Sequence, residues 1–162
     1  MKLSQHFKLE EFTRSYTAQV EHINNSASTE IIVNLTHVAI RILEPLRAFA
    51  NTPQGRPSLW LSPSHEVPIT ISSGYRCPAL NRAVGGADKS QHMKGEAVDI
   101  HLPSIETGRK WLTFILENLR FDQLIWEHDT HGTYWIHVSL CINDAENRQK
   151  YIPNMVKAEK KV

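Results

Sequence analysis

Apolar residues recur at helical spacing in the first third of the chain. Ser28 can cap a helix that begins there, and Glu30 lies in its first turn, where an acidic side chain is favourable. Pro45 falls inside the pattern and has no N–H to donate, so it predicts a bend or a division of the helix. A shorter helix is predicted over residues 4–16. The apolar positions of the long helix are Ile31, Leu35, Val38, Ile42, Leu46 and Phe49, a spacing typical of one buried face.

The polarity pattern changes in the second half of the chain. CPALNRAVGG predicts a short helix with Pro78 in its first turn and Gly85 and Gly86 at its end. Ser104 begins a second, amphipathic helix. The polar loop HDTHGT joins the last two strands as a hairpin. Segments predicted as strands are 67–72, 96–102, 122–127 and 134–140. This order of helices and strands along the chain predicts an α+β fold, with N-terminal helices packed on a small antiparallel sheet.

Composition limits the protein to a few classes. The 162 residues, 41% of them hydrophobic, predict one domain with its core at about 4–142 and a polar tail at 143–162. A net charge of +1 argues against a nucleic-acid partner. No stretch approaches the ~20 apolar residues of a membrane span, and the start MKLSQHFKLEEF has no apolar signal-peptide region. We therefore expect a monomer, not inserted in a membrane, that is cytoplasmic at synthesis.

Two predicted strands offer polar side chains on the face away from the core. Side chains at i and i+2 share a face, so Asp99 points away from the apolar residues of its strand, and His137 does the same in the last strand. His92 lies in a polar turn just before Gly95, which lets the chain fold back towards Asp99. Two imidazoles and one carboxylate are a common ligand set for catalytic zinc. The alternative is an ordinary polar strand surface.

Three blocks of the sequence resemble the signatures of a known family. SGYRCPALNRAVGG, SQHMKGEAVDI and WIHVS are similar to those of the zinc D-Ala-D-Ala carboxypeptidase family, which comprises peptidoglycan carboxypeptidases, dipeptidases and phage endolysins. HFKLEEFTRS and ILEPLR resemble one branch, so the likeness covers most of residues 4–142. The resemblance implies a hedgehog/DD-peptidase-like fold, peptidoglycan peptides as substrates, and zinc bound by His92, Asp99 and His137.

The general base is less directly indicated. Several branches of the family carry an acid three positions before the last histidine ligand, where this chain has Tyr134. The nearest acidic residue is Glu127, at the end of the preceding strand. If Glu127 pairs with Trp135, it shares the face of His137 at a diagonal position, whereas a one-residue slip would bury it on the core side. The alternative is a carboxylate on the rim of the hairpin.

Arg76 is the candidate residue for binding the substrate. In the family the matching arginine faces the substrate, and a guanidinium can bind a carboxylate or a developing oxyanion. The alternative is an arginine that bridges loop carbonyls. Ser73 and Tyr75 are predicted to support substrate binding, and Gln91 is a further candidate for the pocket.

The sequence thus predicts a single-domain zinc peptidase acting on peptidoglycan stem peptides, either a D-Ala-D-Ala carboxypeptidase or an endolysin-type endopeptidase. One rival is a non-catalytic zinc-containing binding module, because the hedgehog domain shares this fold and zinc site. The presence of Arg76 and Glu127 argues against it. A second rival is a structural zinc site with a fourth protein ligand, for which Cys77 is the residue to examine. The missing signal peptide favours a lysin that acts on the cell wall after release.

Overall fold

The N-terminal third of the protein is helical. The computed structural model describes residues 1–58 and 64–157. Two short helices replace the single one expected over residues 4–16, and the predicted cap at Ser28 is confirmed by its side chain, which accepts a hydrogen bond from the Ile31 N–H at 3.3 Å. The α-helices are α1 (Leu9–Thr13), α2 (Tyr16–Val20), α3 (Thr29–Val38), α4 (Glu44–Ala50), α5 (Pro78–Ala83) and α6 (Ile105–Asn118).

The long apolar helix is divided just before Pro45, as predicted. Residues Ala39–Leu43 form a π-helical turn between α3 and α4, and Pro45 lies in the first turn of α4. Proline cannot donate to the carbonyl four residues earlier, and a π turn changes the hydrogen-bond register at such a point. The apolar face stays continuous across the division, because Val38, Ile42 and Leu46 are all fully buried.

A five-stranded sheet carries the second half of the fold. Its order is β1-β2-β4-β3-β5, antiparallel except for the parallel pair β3–β5. The predicted hairpin is the pair β3–β4, and the α+β fold class is confirmed. The first strand is shorter than predicted and begins at Ile71. The strands are β1 (Ile71–Ser73), β2 (Ala97–His101), β3 (Gln123–His128), β4 (Tyr134–Ser139) and β5 (Lys150–Val156).

The strand β5 corrects the prediction of a polar tail over residues 143–162. Its half-buried Tyr151 and Ile152 lie opposite Leu124 and Ile125 of β3. Pro153 argues against a strand in a sequence pattern, but an edge strand with a bulge tolerates a proline. The pairing with β3 has such a register shift at this point. Residues 158–162, the end of the predicted tail, lie outside the described part.

The two faces of the sheet have different roles. One face packs into the hydrophobic core with α3, α4 and α6, as the strand alternation predicted; it includes Val98, Ile100, Trp126, Ile136 and Val138. The other face carries the candidate chemistry, and its side chains Asp99, Glu127 and His137 are also buried. Among the described residues, no helix is long and apolar enough to cross a membrane.

Candidate active site

The sheet register and one tight turn bring the three predicted metal ligands together. Asp99 of β2 lies directly opposite His137 of β4. His92 lies in the 3₁₀ turn Gln91–Lys94, which ends at Gly95 in the left-handed conformation, φ 70°. A Cβ at Gly95 would lie 2.9 Å from the Ile31 carbonyl oxygen, so this turn requires glycine both for its φ and for its close approach to α3.

The distances within this group suit a tetrahedral zinc site. His137 Nδ1 lies 3.0 Å from Asp99 Oδ1, and His92 Nε2 lies 3.3 Å from His137 Nδ1 and 3.4 Å from Asp99 Oδ1. Tetrahedral ligands bound at about 2.0–2.1 Å lie roughly 3.3 Å from one another. All three residues are buried, with Asp99 5% and His137 9% exposed. The residues present therefore fit a zinc ion.

The hydrogen bond of His92 fixes which ring nitrogen faces the group. Its Nδ1 lies 2.7 Å from the Gly74 carbonyl oxygen, and because a carbonyl only accepts, Nδ1 carries the proton. The Nε2 lone pair is then directed at Asp99 and His137, the arrangement seen in metal-binding histidines. Burial lowers the pKa of His92 to about 4, so the ring is neutral at neutral pH, which is the form that binds metal.

Glu127 lies on the predicted face. The register pairs Glu127 with Trp135 and Ile125 with His137, as expected from the sequence. The carboxylate is 4% exposed, which rules out a rim position. It accepts a 2.6 Å hydrogen bond from the Trp135 indole N–H through Oε2, and Lys157 Nζ lies 3.9 Å from Oε1. Burial raises the pKa of Glu127, which moves this carboxyl towards the range useful for a general base.

Arg76 also faces the cleft. Its Nη2 lies 3.5 Å from Ser90 Oγ, while its Nε is buried with no hydrogen-bond partner in the described part of the chain. Burial lowers the pKa of Arg76, although the nearby Asp99 and Glu127 carboxylates partly oppose this effect. A guanidinium stays charged under such shifts. No side-chain bond from Arg76 to a backbone carbonyl occurs within the described ranges, so the structure does not support the loop-bridging alternative.

The remaining predicted site residues divide into two groups. Ser73, which pairs with Asp99, and Gln91 both line the cleft. Tyr75 does not: it is packed in the hydrophobic core, and its backbone N–H donates to the Phe12 carbonyl at 2.7 Å. Tyr75 was expected to support substrate binding together with Arg76, but the chain leaves the sheet after Ser73 and turns the Tyr75 side chain towards the core.

Cys77 lies outside the metal group. Its thiol accepts a hydrogen bond from the Leu80 N–H at 3.5 Å and caps α5. Among the described residues, the group that can hold a metal contains only His92, Asp99 and His137.

The cleft has a volume of about 770 Å³, and β5 builds part of its wall. The parallel pairing with β3 places β5 next to Ile125 and Glu127. The sequence pattern did not predict this wall. The available signal was two apolar pairs, Tyr151–Ile152 and Met155–Val156, but Pro153 between them argued against a strand. Cleft-lining side chains from this segment are Lys150, Ile152, Met155 and Lys157.

Residues 60–139 match the family model described as Peptidase M15. This segment, about half of the chain, is similar to the M15 family. The matched segment contains the three candidate ligands, Arg76 and Glu127, whereas β5 lies beyond it. M15 proteins are zinc-dependent peptidases, and the His92–Asp99–His137 group agrees with the predicted zinc cofactor. The comparison with curated proteins found no match.

Proposed function

We propose that this protein is a zinc peptidase that hydrolyses peptide bonds of bacterial peptidoglycan stem peptides and acts on the cell wall after release. The M15 match supports a peptidase, and the resemblance of the three sequence blocks supports peptidoglycan as the substrate. The main support for a catalytic role is the position of Glu127, which lines the same cleft as the His92–Asp99–His137 group.

His92, Asp99 and His137 are the zinc ligands in this proposal. Three protein ligands leave a fourth position for water or substrate, which is typical of catalytic zinc sites. Zinc held there supplies Lewis-acid activation of a water molecule and of the substrate carbonyl. Two neutral imidazoles and one carboxylate leave the loaded site with a net positive charge, which suits a reaction that develops negative charge.

Glu127 is the general base of the reaction. It removes a proton from the attacking water and later delivers that proton to the leaving amine. The Trp135 indole holds Oε2, so Oε1 is the oxygen left to accept from water. Lys157 lies beyond hydrogen-bond distance of Oε1 and does not block it.

Arg76 binds negative charge on the substrate, either a carboxylate or the oxyanion that forms at the scissile carbonyl. The unpaired, buried Nε is a donor for which the described residues supply no acceptor, and a substrate oxygen would satisfy it. An unsatisfied buried donor costs about 1–3 kcal/mol, so satisfying it contributes to binding.

Arg76→Lys should keep the fold and lose most of the activity. Lysine keeps the charge but cannot donate from two parallel N–H groups. We expect the thermal midpoint to stay close to that of the wild type, while kcat/KM falls by about tenfold or more. Full activity in the lysine variant would contradict the binding of the substrate through two N–H groups of Arg76. A large fall in the thermal midpoint would instead assign Arg76 a structural role.

The rival function, a non-catalytic zinc-binding module, has less support in this structure. Such a module needs neither a base nor a substrate-binding cation, yet both Glu127 and Arg76 line the cleft. A structural zinc site needs a fourth protein ligand, and within the residues that the structure describes the group has three.

Incubation of the zinc-loaded protein with purified muropeptides tests the proposed function. Mass spectrometry should detect the products of one defined peptide-bond cleavage. Loss of terminal D-alanine would indicate a carboxypeptidase, and an internal cut would indicate an endopeptidase. Removing the metal with a chelator should stop the reaction, and adding zinc back should restore it. If intact muropeptides are recovered from the zinc-loaded protein, the proposal is wrong.

A further inference from the structure

The charged side chains of the cleft are distributed unevenly. The two acidic ones, Asp99 and Glu127, both lie at the centre. The cleft has more basic side chains than acidic ones in the described part of the chain; these are Arg76, Arg82, Lys89, Arg148, Lys150 and Lys157. The protein as a whole is almost neutral, with a net charge of +1. The excess of positive charge is therefore a local property of the cleft.

Half of these cations already have acidic neighbours. Arg148 donates two hydrogen bonds of 2.8 Å to the Asp122 carboxylate. Lys157 lies 3.9 Å from Glu127, and Arg76 faces the acidic centre.

The other three cations of the cleft are Arg82, Lys89 and Lys150. All three are exposed and have no ion pair with another described residue. We call these three residues the basic rim.

Asp122 holds two cation-bearing segments of this rim together. Its carboxylate is 2% exposed, and Arg148 keeps its pKa below the usual range, so it stays ionised. It accepts from Gln91 at 3.0 Å as well as from Arg148. Gln91 lies two residues after Lys89, and Arg148 lies two residues before Lys150. The start of the metal-ligand turn and the chain that leads into β5 are thus joined through Asp122.

We infer that the basic rim binds a second anionic group of the substrate, separate from the group that Arg76 binds, so that the cleft prefers acidic peptides to neutral ones. This inference rests on the proposed function and identifies the class of peptide that the site accepts. Cations held at the edge of a cleft attract anionic ligands and help to select among them. Lys150 comes from β5, beyond the residues that match the M15 model.

Two synthetic stem peptides that differ by one charge test this inference. The first is L-Ala-γ-D-Glu-L-Lys-D-Ala-D-Ala with a free α-carboxyl on the D-Glu, and the second carries an amide at that carboxyl. Binding is measured by calorimetry on the zinc-loaded Glu127→Gln variant, in which turnover does not interfere. We expect the acidic peptide to bind about fivefold more tightly than the amide, the scale of one exposed ion pair.

Neutralising the rim should remove this preference. Adding Lys89→Gln and Lys150→Gln to the same background should bring the two Kd values together by weakening the acidic peptide alone. Lys2→Gln, a change to an exposed lysine far from the cleft in the same background, should preserve the preference. Added salt should also reduce it, since exposed charges are screened.

The inference is overturned if the two peptides bind equally tightly to the protein with an unchanged rim. It is also overturned if the rim substitutions weaken the binding of both peptides equally. The proposed function is tested separately by turnover of the amidated peptide by the wild-type protein. Absence of turnover, together with a clear charge preference in binding, would reject the peptidase and retain the anion-binding rim.

Discussion

A His92→Ala, His137→Ala double variant should lose the zinc ion that we expect the wild-type protein to hold at about one per chain. His92 Nε2 and His137 Nδ1 supply two of the three ligand atoms, and Asp99 alone cannot bind zinc tightly. Elemental analysis of the purified, dialysed protein should find zinc near background in this variant. Peptidase activity should be lost with the metal, because the activation of water depends on it.

A matched control separates loss of ligands from loss of histidines in general. His101 and His131 are exposed and lie outside the ligand group, so a His101→Ala, His131→Ala double variant should keep the metal. Circular dichroism should show that both double variants are folded. Full zinc occupancy in the His92→Ala, His137→Ala protein would show that the ion binds elsewhere.

Glu127→Gln should abolish most of the activity while leaving zinc bound. Glutamine keeps the size of the side chain and can still accept from the Trp135 indole, but it does not take a proton from water. Loss of a positioned acid–base group costs roughly 10²-fold or more. We therefore expect kcat to fall by at least about 10²-fold, with unchanged zinc content.

The control for this variant is Glu117→Gln, which changes an exposed acid on α6. It should have wild-type turnover and zinc content. If Glu127→Gln turns over peptide at nearly the wild-type rate with zinc bound, the base lies elsewhere. His128 and His131, in and beside the hairpin loop, are then the next residues to test.

Local rules indicated which strand face carries Asp99, His137 and Glu127, and the resemblance of the sequence blocks indicated that His92, Asp99 and His137 are ligands. Alternation along a strand fixes which side chains share a face, and the hairpin register follows from its apolar pattern. That register pairs Glu127 with Trp135. Gly95 indicates the turn that returns His92 to the sheet, because few other residues adopt its positive φ.

Only the tertiary structure decided the remaining features of the cleft. Tyr75 carries no local signal that the chain turns into the core after Ser73. The strand β5 has a short, proline-containing sequence whose pairing depends on β3, a partner more than twenty residues away. The buried Asp122 carboxylate joins Gln91 and Arg148, which lie two residues from Lys89 and Lys150 along the chain. Contacts between such distant segments leave no periodicity in the sequence, because each segment satisfies its own local rules whichever partner it finally packs against.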